Sequence, residues 1–120
     1  MIAVIFELQA ADGQRETYLN LAAELKPFLA EIDGFISIER FQSLADPQRL
    51  LSLSFWRDEA AVQQWRNIEK HRAAQARGRH DVLAHYRLRV AEVVRDYGLD
   101  QREQAPQDSR GYHVGSEKPA

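Results

Sequence analysis

The period of the sequence changes from that of a strand to that of a helix between Trp56 and Asp58, and this change limits the folds the chain can adopt. Before it, residues 50–56 read LLSLSFW, a short apolar run typical of a β-strand. After it, apolar residues recur at spacings of three and four, as in a helix that buries one face. Asp58 is a residue type that accepts backbone hydrogen bonds at a helix N-terminus. We therefore predict a strand that ends at Trp56 and a helix that begins at Asp58.

The same two periods divide the rest of the chain. Strand patterns occupy residues 2–8, 35–41 and 86–94, and a second helix pattern occupies residues 16–31. Pro27 lies inside that helix and should kink or shorten it, because proline lacks a backbone donor. One further helical turn is expected over residues 81–85. The order strand, helix, strand, strand, helix, strand predicts a ferredoxin-like α+β fold, a four-stranded antiparallel sheet with both helices on one face.

The predicted strands carry apolar side chains on both faces, and this favours a dimer. In the second strand Phe35 and Phe41 are expected to point away from Ile36, Ile38 and Arg40. In the third strand alternation separates Leu51, Leu53 and Phe55 from Leu50 and Trp56. Because the helices cover only one face, the other needs a second layer. A homodimer that packs sheet against sheet, a dimeric α/β barrel, is the simplest way to supply it.

Length and composition set the domain organisation. The 120 residues are enough for one domain, which we place at residues 1–98. Residues 99–120 are polar, without a period, and are interpreted as a tail that is mobile or packed on the dimer partner. The net charge of −2 gives no electrostatic reason to expect nucleic acid or a membrane as a partner. The apolar N-terminus is too short to span a bilayer and lacks signal-peptide features, so we expect a cytoplasmic protein.

The sequence contains no strong catalytic motif. It has no phosphate-binding glycine loop, and without cysteine it has no thiolate nucleophile. His80 and His85 are five residues apart, not the four that place two ligands on one helix face. We therefore expect no metal site and no bound cofactor.

Trp65 and His71 are the residues on which a functional interpretation depends. Trp65 lies on the apolar stripe of its helix, where a tryptophan that anchors helix to sheet is the ordinary interpretation. The alternative is that its indole forms the wall of a ligand pocket. His71, six residues later, would face elsewhere on a straight helix unless the helix bends near Asn67. Without such a bend, His71 would be a surface histidine.

The other candidate residues each have a structural alternative. Trp56 and Phe55, at the end of the third strand, are candidate substrate-binding residues, with core packing as the alternative for Trp56. Tyr86 and His85, just before the last predicted strand, are further candidates. Strand-end packing and an exposed imidazole are the alternatives for that pair.

Three segments together, IDGFISIERF, LLSLSFWRDEAAVQQWRNIEKHRAAQARGR and YRLRVAEVVRDYG, resemble the antibiotic biosynthesis monooxygenase family. The resemblance extends over nearly all of residues 1–98, and its most specific part is the block of Phe55, Trp56, Trp65 and His71. It implies a dimeric ferredoxin-like barrel. Some members of the family oxidise aromatic phenols to quinones with oxygen and neither metal nor flavin, and related members degrade haem.

The resemblance also implies roles for single residues. Trp65 matches the tryptophan that lines the active site in both branches of the family. His71 falls where the phenol-oxidising branch has a tyrosine, and Ala61 where that branch has an asparagine. The implied function is a cofactor-independent monooxygenase in which His71 takes a proton from a small or polycyclic aromatic phenol. The phenolate would then react with oxygen in a pocket walled by Trp65, Trp56 and Phe55.

Two alternatives stay open on the sequence. A dimeric module that binds a small molecule without catalysis needs no base at position 71, and Ala61 in place of an asparagine favours it. A haem-binding or haem-degrading protein is the second alternative. The haem-degrading branch has an asparagine on its first strand where this chain has Phe6-Glu7.

Overall fold

The computed structural model describes residues 1–75 and 81–109, and over residues 69–75 it describes the backbone alone. The elements are β1 Ile2–Ala10, α1 Arg15–Ala30, β2 Phe35–Gln42, β3 Arg49–Trp56, α2 Glu59–Gln75 and β4 Leu83–Glu92. The four strands form one sheet in the order β2-β3-β1-β4, with every neighbouring pair antiparallel. This order confirms the predicted ferredoxin-like α+β fold.

Three element boundaries differ from the sequence prediction. β4 begins at Leu83, so residues 83–85 are strand rather than the predicted helical turn. These residues pair with the end of β1, which supplies hydrogen-bond partners for their backbone groups. A local sequence pattern cannot predict this distant pairing. α1 is not shortened at Pro27 but continues to Ala30, because Leu29 beyond the proline is buried in the core. α2 runs unbroken through Asn67 to Gln75, so the break considered there is absent.

A β-bulge near the start of β2 changes the direction of one aromatic ring. Phe35 pairs with Trp56 and Ser37 with Phe55, so Ile36 is an extra residue in its strand. Phe35 therefore lies on the same face as Ile38, and its ring contacts that of Trp56 at 5.1 Å between centroids. The prediction that Phe35 points away from the helices is wrong, because strict alternation fails at a bulge.

The core lies between the helices and the sheet face formed by the even-numbered residues of β1 and β3. Its buried residues come from both helices and both central strands: Val4, Leu29, Ile32, Trp56, Ala61 and Val62. We call the other side of the sheet the open face. Leu51, Leu53 and Phe55 lie there and are half-buried, as the alternation predicts.

The helices leave β4 largely uncovered. Its residues on the helix side of the sheet are Tyr86, Leu88 and Val90, and all three are exposed. After β4, Arg102 donates hydrogen bonds to the carbonyls of Gly98 and Ser109 and lies over the ring of Tyr97. Residues 97–109 thus form a locally bonded loop.

In the turn before β2, the backbone at Gly34 lies unusually close to the first turn of α2. Gly34 has φ +96°, a conformation that side chains strongly disfavour, and its carbonyl accepts a hydrogen bond from the Arg57 amide at 2.7 Å. A Cβ at Gly34 would lie 2.9 Å from the Cβ of Ala61, which is buried. Both positions therefore need small residues.

We expect Gly34→Ala to lower the free energy of unfolding by roughly 2–5 kcal/mol, since backbone strain of about 1–2 kcal/mol adds to overpacking of about 1–3 kcal/mol. Gly13→Ala is the matched control, because Gly13 also has a positive φ, +75°, but no atom lies within 4 Å of an added Cβ. The control should lose roughly 1–2 kcal/mol. Urea unfolding measures both, and equal losses would show that the contact with Ala61 contributes nothing.

Asp58 caps α2, as predicted. Its Oδ1 accepts a hydrogen bond from the Ala61 amide at 3.0 Å, and its Oδ2 accepts one from Arg57 Nε at 3.1 Å. These two hydrogen bonds, the amide's first, hold the pKa of the Asp58 carboxyl below its ordinary value of 3.8. The charged carboxylate therefore stabilises the folded protein above that pH, and this contribution is lost as the pH falls through the lowered pKa.

We expect Asp58→Ala to lower the Tm at pH 7 by roughly 2–8 °C, because the cap is lost. Asp58→Asn keeps an acceptor for the Ala61 amide but loses the charge and the acceptor for Arg57 Nε, so its Tm at pH 7 should lie between those of Asp58→Ala and the wild type. The difference between wild type and Asp58→Ala should shrink below pH 4. Thermal unfolding from pH 3 to 7 measures this, and a difference independent of pH would contradict the role of the carboxylate.

Candidate active site

A pocket lies between α1 and the sheet, and Trp65 of α2 closes one side. We call it the helix–sheet pocket. Its lining residues are mostly apolar and come from every strand, both helices and the residue before β4: Phe6, Tyr18, Leu21, Ala22, Leu25, Leu29, Ile38, Arg40, Ser52, Trp65, Val82 and Leu83. The cavity volume is about 90 Å³. That volume holds more than one water molecule but is smaller than the ~300 Å³ of sites for drug-sized ligands.

The local patterns of the sequence explain why these side chains converge. The contribution of α1 is a stripe at spacings of three and four, which runs from Tyr18 to Leu29 on the face toward the sheet. Phe6, Ser52 and Arg40 lie side by side on β1, β3 and β2, since Ser52 pairs with both neighbours in the strand register. The small side chains of Ala22 and Ser52 leave space between helix and sheet that larger residues would fill.

Trp65 belongs to the pocket wall and to the packing of the core at once. It is half-buried, lines the helix–sheet pocket and contacts the indole of Trp56 at 5.8 Å between ring centroids. Trp56 is 0% exposed, and its Nε1 donates a hydrogen bond to Ser54 Oγ at 2.9 Å. Trp56 therefore does not line the helix–sheet pocket but supports the ring that does.

The remaining candidates from the sequence lie in three different places. Phe55 is on the open face, on the opposite side of the sheet from the pocket. Tyr86 is 67% exposed on β4, and its ring contacts that of Phe6 at 5.7 Å between centroids. His85 is also exposed, one residue away on the other face of that strand. None of these three is among the described residues that line the pocket.

His71 lies within the backbone of α2, but its side chain is outside the described residues. Its role as a base therefore stays a prediction. The continuous helix removes the bend at Asn67 that the sequence interpretation used to bring His71 toward Trp65.

Arg40 is the charged residue of the pocket, and the sequence analysis did not select it. The guanidinium Nε of Arg40 is buried and has no hydrogen-bond partner. No other lining residue that the structure describes carries a formal charge. The alternation of β2 places Arg40 on the same face as Ile38, which the helices cover. A charged residue on that face was the sequence feature that could have identified Arg40 as a site residue.

Ala61 occupies the position where the phenol-oxidising branch of the resembled family has an asparagine. It is 1% exposed and packs in the core beside Val62. Its close approach to Gly34 leaves no room for a longer side chain without movement of the backbone. This position therefore contributes to packing and offers the pocket no polar group.

Within residues 1–75 and 81–109, no group of three or more His, Cys, Asp and Glu side chains is arranged to hold a metal ion. In the same part of the chain, no helix combines the length and the apolar character needed to cross a membrane.

Comparison with known proteins identifies the family. Residues 1–77 match the family model described as "Antibiotic biosynthesis monooxygenase". A relative from Pyricularia oryzae named "Jasmonate monooxygenase ABM" is 50% identical over 94 residues, which are 78% of this chain and 44% of that protein. The chain thus spans less than half the length of this relative.

Solved structures resemble the chain at low sequence identity. A cofactor-independent oxygenase from Streptomyces nogalater has a TM-score of 0.64 at 11% identity and covers 79% of this chain and 94% of its own. A haem-degrader from Mycobacterium tuberculosis, solved with two haems in its active site, has a TM-score of 0.62 at 21% identity and covers 82% and 100%. At these identities the likeness establishes the fold alone.

Fold and pocket together define an α+β protein with a mostly apolar pocket between its helices and its sheet. The chain belongs to the antibiotic biosynthesis monooxygenase family, because the matched residues 1–77 are more than half of its 120 residues. The resemblance inferred from the sequence is thereby confirmed.

Proposed function

We propose that the protein is a monooxygenase whose substrate is a small, mostly apolar molecule bound in the helix–sheet pocket. The observation that supports this is the pocket itself, an apolar space between α1 and the sheet with a tryptophan wall and few polar groups. Pockets of this kind bind small organic ligands, and their few polar groups set the orientation. The flat indole of Trp65 suits an aromatic or other planar ring.

The reaction proposed for this site is the oxidation of a phenol to a quinone without a cofactor. The base in this proposal is His71, since a neutral imidazole is an effective proton acceptor. This assignment rests on the family resemblance, because the unbroken α2 lacks the bend that would turn His71 toward Trp65. A ring C–H becomes C=O, the phenol becomes the second carbonyl, and the other atom of O₂ leaves as water. The balance is complete with no external reductant.

Jasmonate is the second substrate to test, because the 50% identical relative is named for it. Hydroxylation of an unactivated carbon by O₂ requires two further electrons, unlike the oxidation of a phenol. The reductant would have to be supplied, and the matched region is only 44% of that relative. An assay with jasmonate therefore includes a reduced nicotinamide or flavin as electron donor.

Oxygen uptake with 1-naphthol and with 1-hydroxyanthracene, together with mass spectrometry of the products, tests the phenolic reaction. We expect uptake of one O₂ per quinone formed and a loss of at least about 100-fold in kcat for His71→Ala, the usual contribution of a general base. Gln63→Ala, an exposed position on the same helix, is the control. Binding without uptake on any of these substrates would instead support the module that binds small molecules without catalysis.

We also propose that the protein is a homodimer that covers the open face of the sheet. On that face, half-buried Leu51 and Leu53 flank Glu7, which lies 3.5 Å from Arg49 and 3.3 Å from Arg89. Apolar side chains around a paired charged centre are typical of surfaces that associate. Light scattering coupled to size exclusion should give twice the chain mass of 13.8 kDa, and a mass of one chain would refute the dimer.

A further inference from the structure

Arg40 places one positive charge inside an otherwise uncharged pocket. Its Nε is buried without a hydrogen-bond partner, and in the described residues its guanidinium makes no ion pair. The side chain comes from β2 on the face that the helices cover, beside Ile38, and its strand partner is Ser52, which is also buried. Arg40 projects from a strand of the rigid sheet. Its charge therefore has a fixed place at the inner surface of the pocket.

A buried donor without a partner is unfavourable and rare in folded proteins. A guanidinium has N–H donors and no acceptor, so only a hydrogen-bond acceptor can pair with Arg40. Elsewhere in the described structure, arginines such as Arg57 and Arg102 do have partners. Because Arg40 lines the pocket and its Nε is enclosed, an acceptor bound there would meet the terminal N–H groups of its guanidinium.

We propose that Arg40 is an anion subsite, and that the substrate carries a carboxylate next to its apolar body. This proposal rests on the proposed function in one respect, since it takes the helix–sheet pocket as the substrate site. Arg40 would be a binding and orienting residue: with the carboxylate held against β2, the apolar body extends toward Trp65 and the stripe of α1.

The geometry favours a carboxylate over other anions. A guanidinium presents parallel N–H groups that match the two oxygens of a planar carboxylate, and charge-assisted pairs of this type are strong. A phosphate would bring a larger group and a second charge, while the described lining offers one cation and no second charged donor. The low polarity of the other lining residues strengthens the attraction to Arg40, because a charge-assisted hydrogen bond is stronger in surroundings of low dielectric.

Binding of a matched pair of small ligands tests the subsite. Phenylacetate and its methyl ester share the same ring and differ in charge. We expect the wild type to bind phenylacetate at least about tenfold more tightly than the ester, measured by calorimetry or by quenching of tryptophan fluorescence. Arg40→Met should remove this preference, and Arg40→Lys should keep part of it because the charge remains but the fork is lost. Arg95→Met, an exposed arginine on the loop after β4, is the control for net charge.

Thermal unfolding separates a binding role from a structural one. Because Arg40 Nε has no partner to lose, Arg40→Met should leave the Tm unchanged or raise it. A binding role therefore predicts a variant that is as stable as the wild type and has lost its preference for the acid. A wild type that binds acid and ester equally would overturn the proposal, as would Arg40→Met with the preference intact. If Arg40→Met does not fold, the subsite is wrong, because Arg40 is then structural.

The binding assay needs no turnover, so the two proposals can fail separately. A preference for the acid that depends on Arg40, in a protein that consumes oxygen with no substrate, would retain the subsite and refute the monooxygenase. Turnover of neutral phenols that is unchanged in Arg40→Met, with no preference for the acid, would retain the monooxygenase and refute the subsite.

Discussion

Replacing Trp56 by alanine should lower the free energy of unfolding by roughly 3–5 kcal/mol, the usual cost of removing a large aromatic side chain from a core. Trp56 is fully buried, and its indole lies between the rings of Phe35 and Trp65. The substitution would leave a cavity at the centre of the core cluster and remove the hydrogen bond to Ser54 Oγ. Because a domain of this size is stable by about 5–15 kcal/mol, such a loss brings the protein close to unfolding at room temperature.

Two further variants, measured by urea unfolding, are the references for the size of this loss in the free energy of unfolding. Trp56→Phe keeps a ring between Phe35 and Trp65 but removes the indole N–H, so its loss should be smaller than that of the alanine variant. Leu44→Ala removes an apolar side chain that is fully exposed in the loop after β2, and it should change the free energy by less than about 0.5 kcal/mol. If Trp56→Ala were no more destabilising than Leu44→Ala, Trp56 would not anchor the core.

Filling the helix–sheet pocket by Ala22→Leu should abolish binding and lower kcat/KM at least about tenfold, while the fold is retained. Ala22 is buried on α1 and lines the pocket, and a leucine there would project into the empty space that the substrate needs. Each additional buried methylene contributes about 0.8 kcal/mol, so the variant should be as stable as the wild type or more so. A tenfold loss corresponds to about 1.4 kcal/mol of transition-state stabilisation.

Ala23 provides the matched control, since it is the next residue of the same helix and is exposed. Ala23→Leu makes the same chemical change on the solvent side, and its Tm and kcat/KM should both stay close to those of the wild type. Turnover and thermal unfolding are measured on both variants with the same substrate. Equal turnover by Ala22→Leu and Ala23→Leu would show that the substrate binds elsewhere on the protein.

Local sequence pattern predicts which face of its helix or strand each side chain of the site occupies. The spacing of apolar residues assigned the stripe of α1 and the stripe that holds Trp65, and alternation assigned Arg40 to the same face as Ile38. Alternation failed at Phe35 because a bulge in β2 adds one residue against β3. It also failed to find the start of β4, since pairing with distant β1 decides that boundary. Trp56 and Phe55 were grouped with Trp65 by their nearness in sequence, although adjacent strand residues point to opposite faces.

The sequence by itself determined the order of strands and helices, the cap at Asp58 and the family, because these depend on period, local chemistry and a run of matching residues. The tertiary structure decided which side chains meet. Trp56 became the support of Trp65 rather than a second pocket wall, and Arg40 lies in a pocket whose described lining holds no counter-charge. The physical reason is that the period of apolar residues predicts only which face of its helix or strand a residue occupies. Burial, strand pairing and the volume of a pocket depend on contacts between segments far apart in the chain.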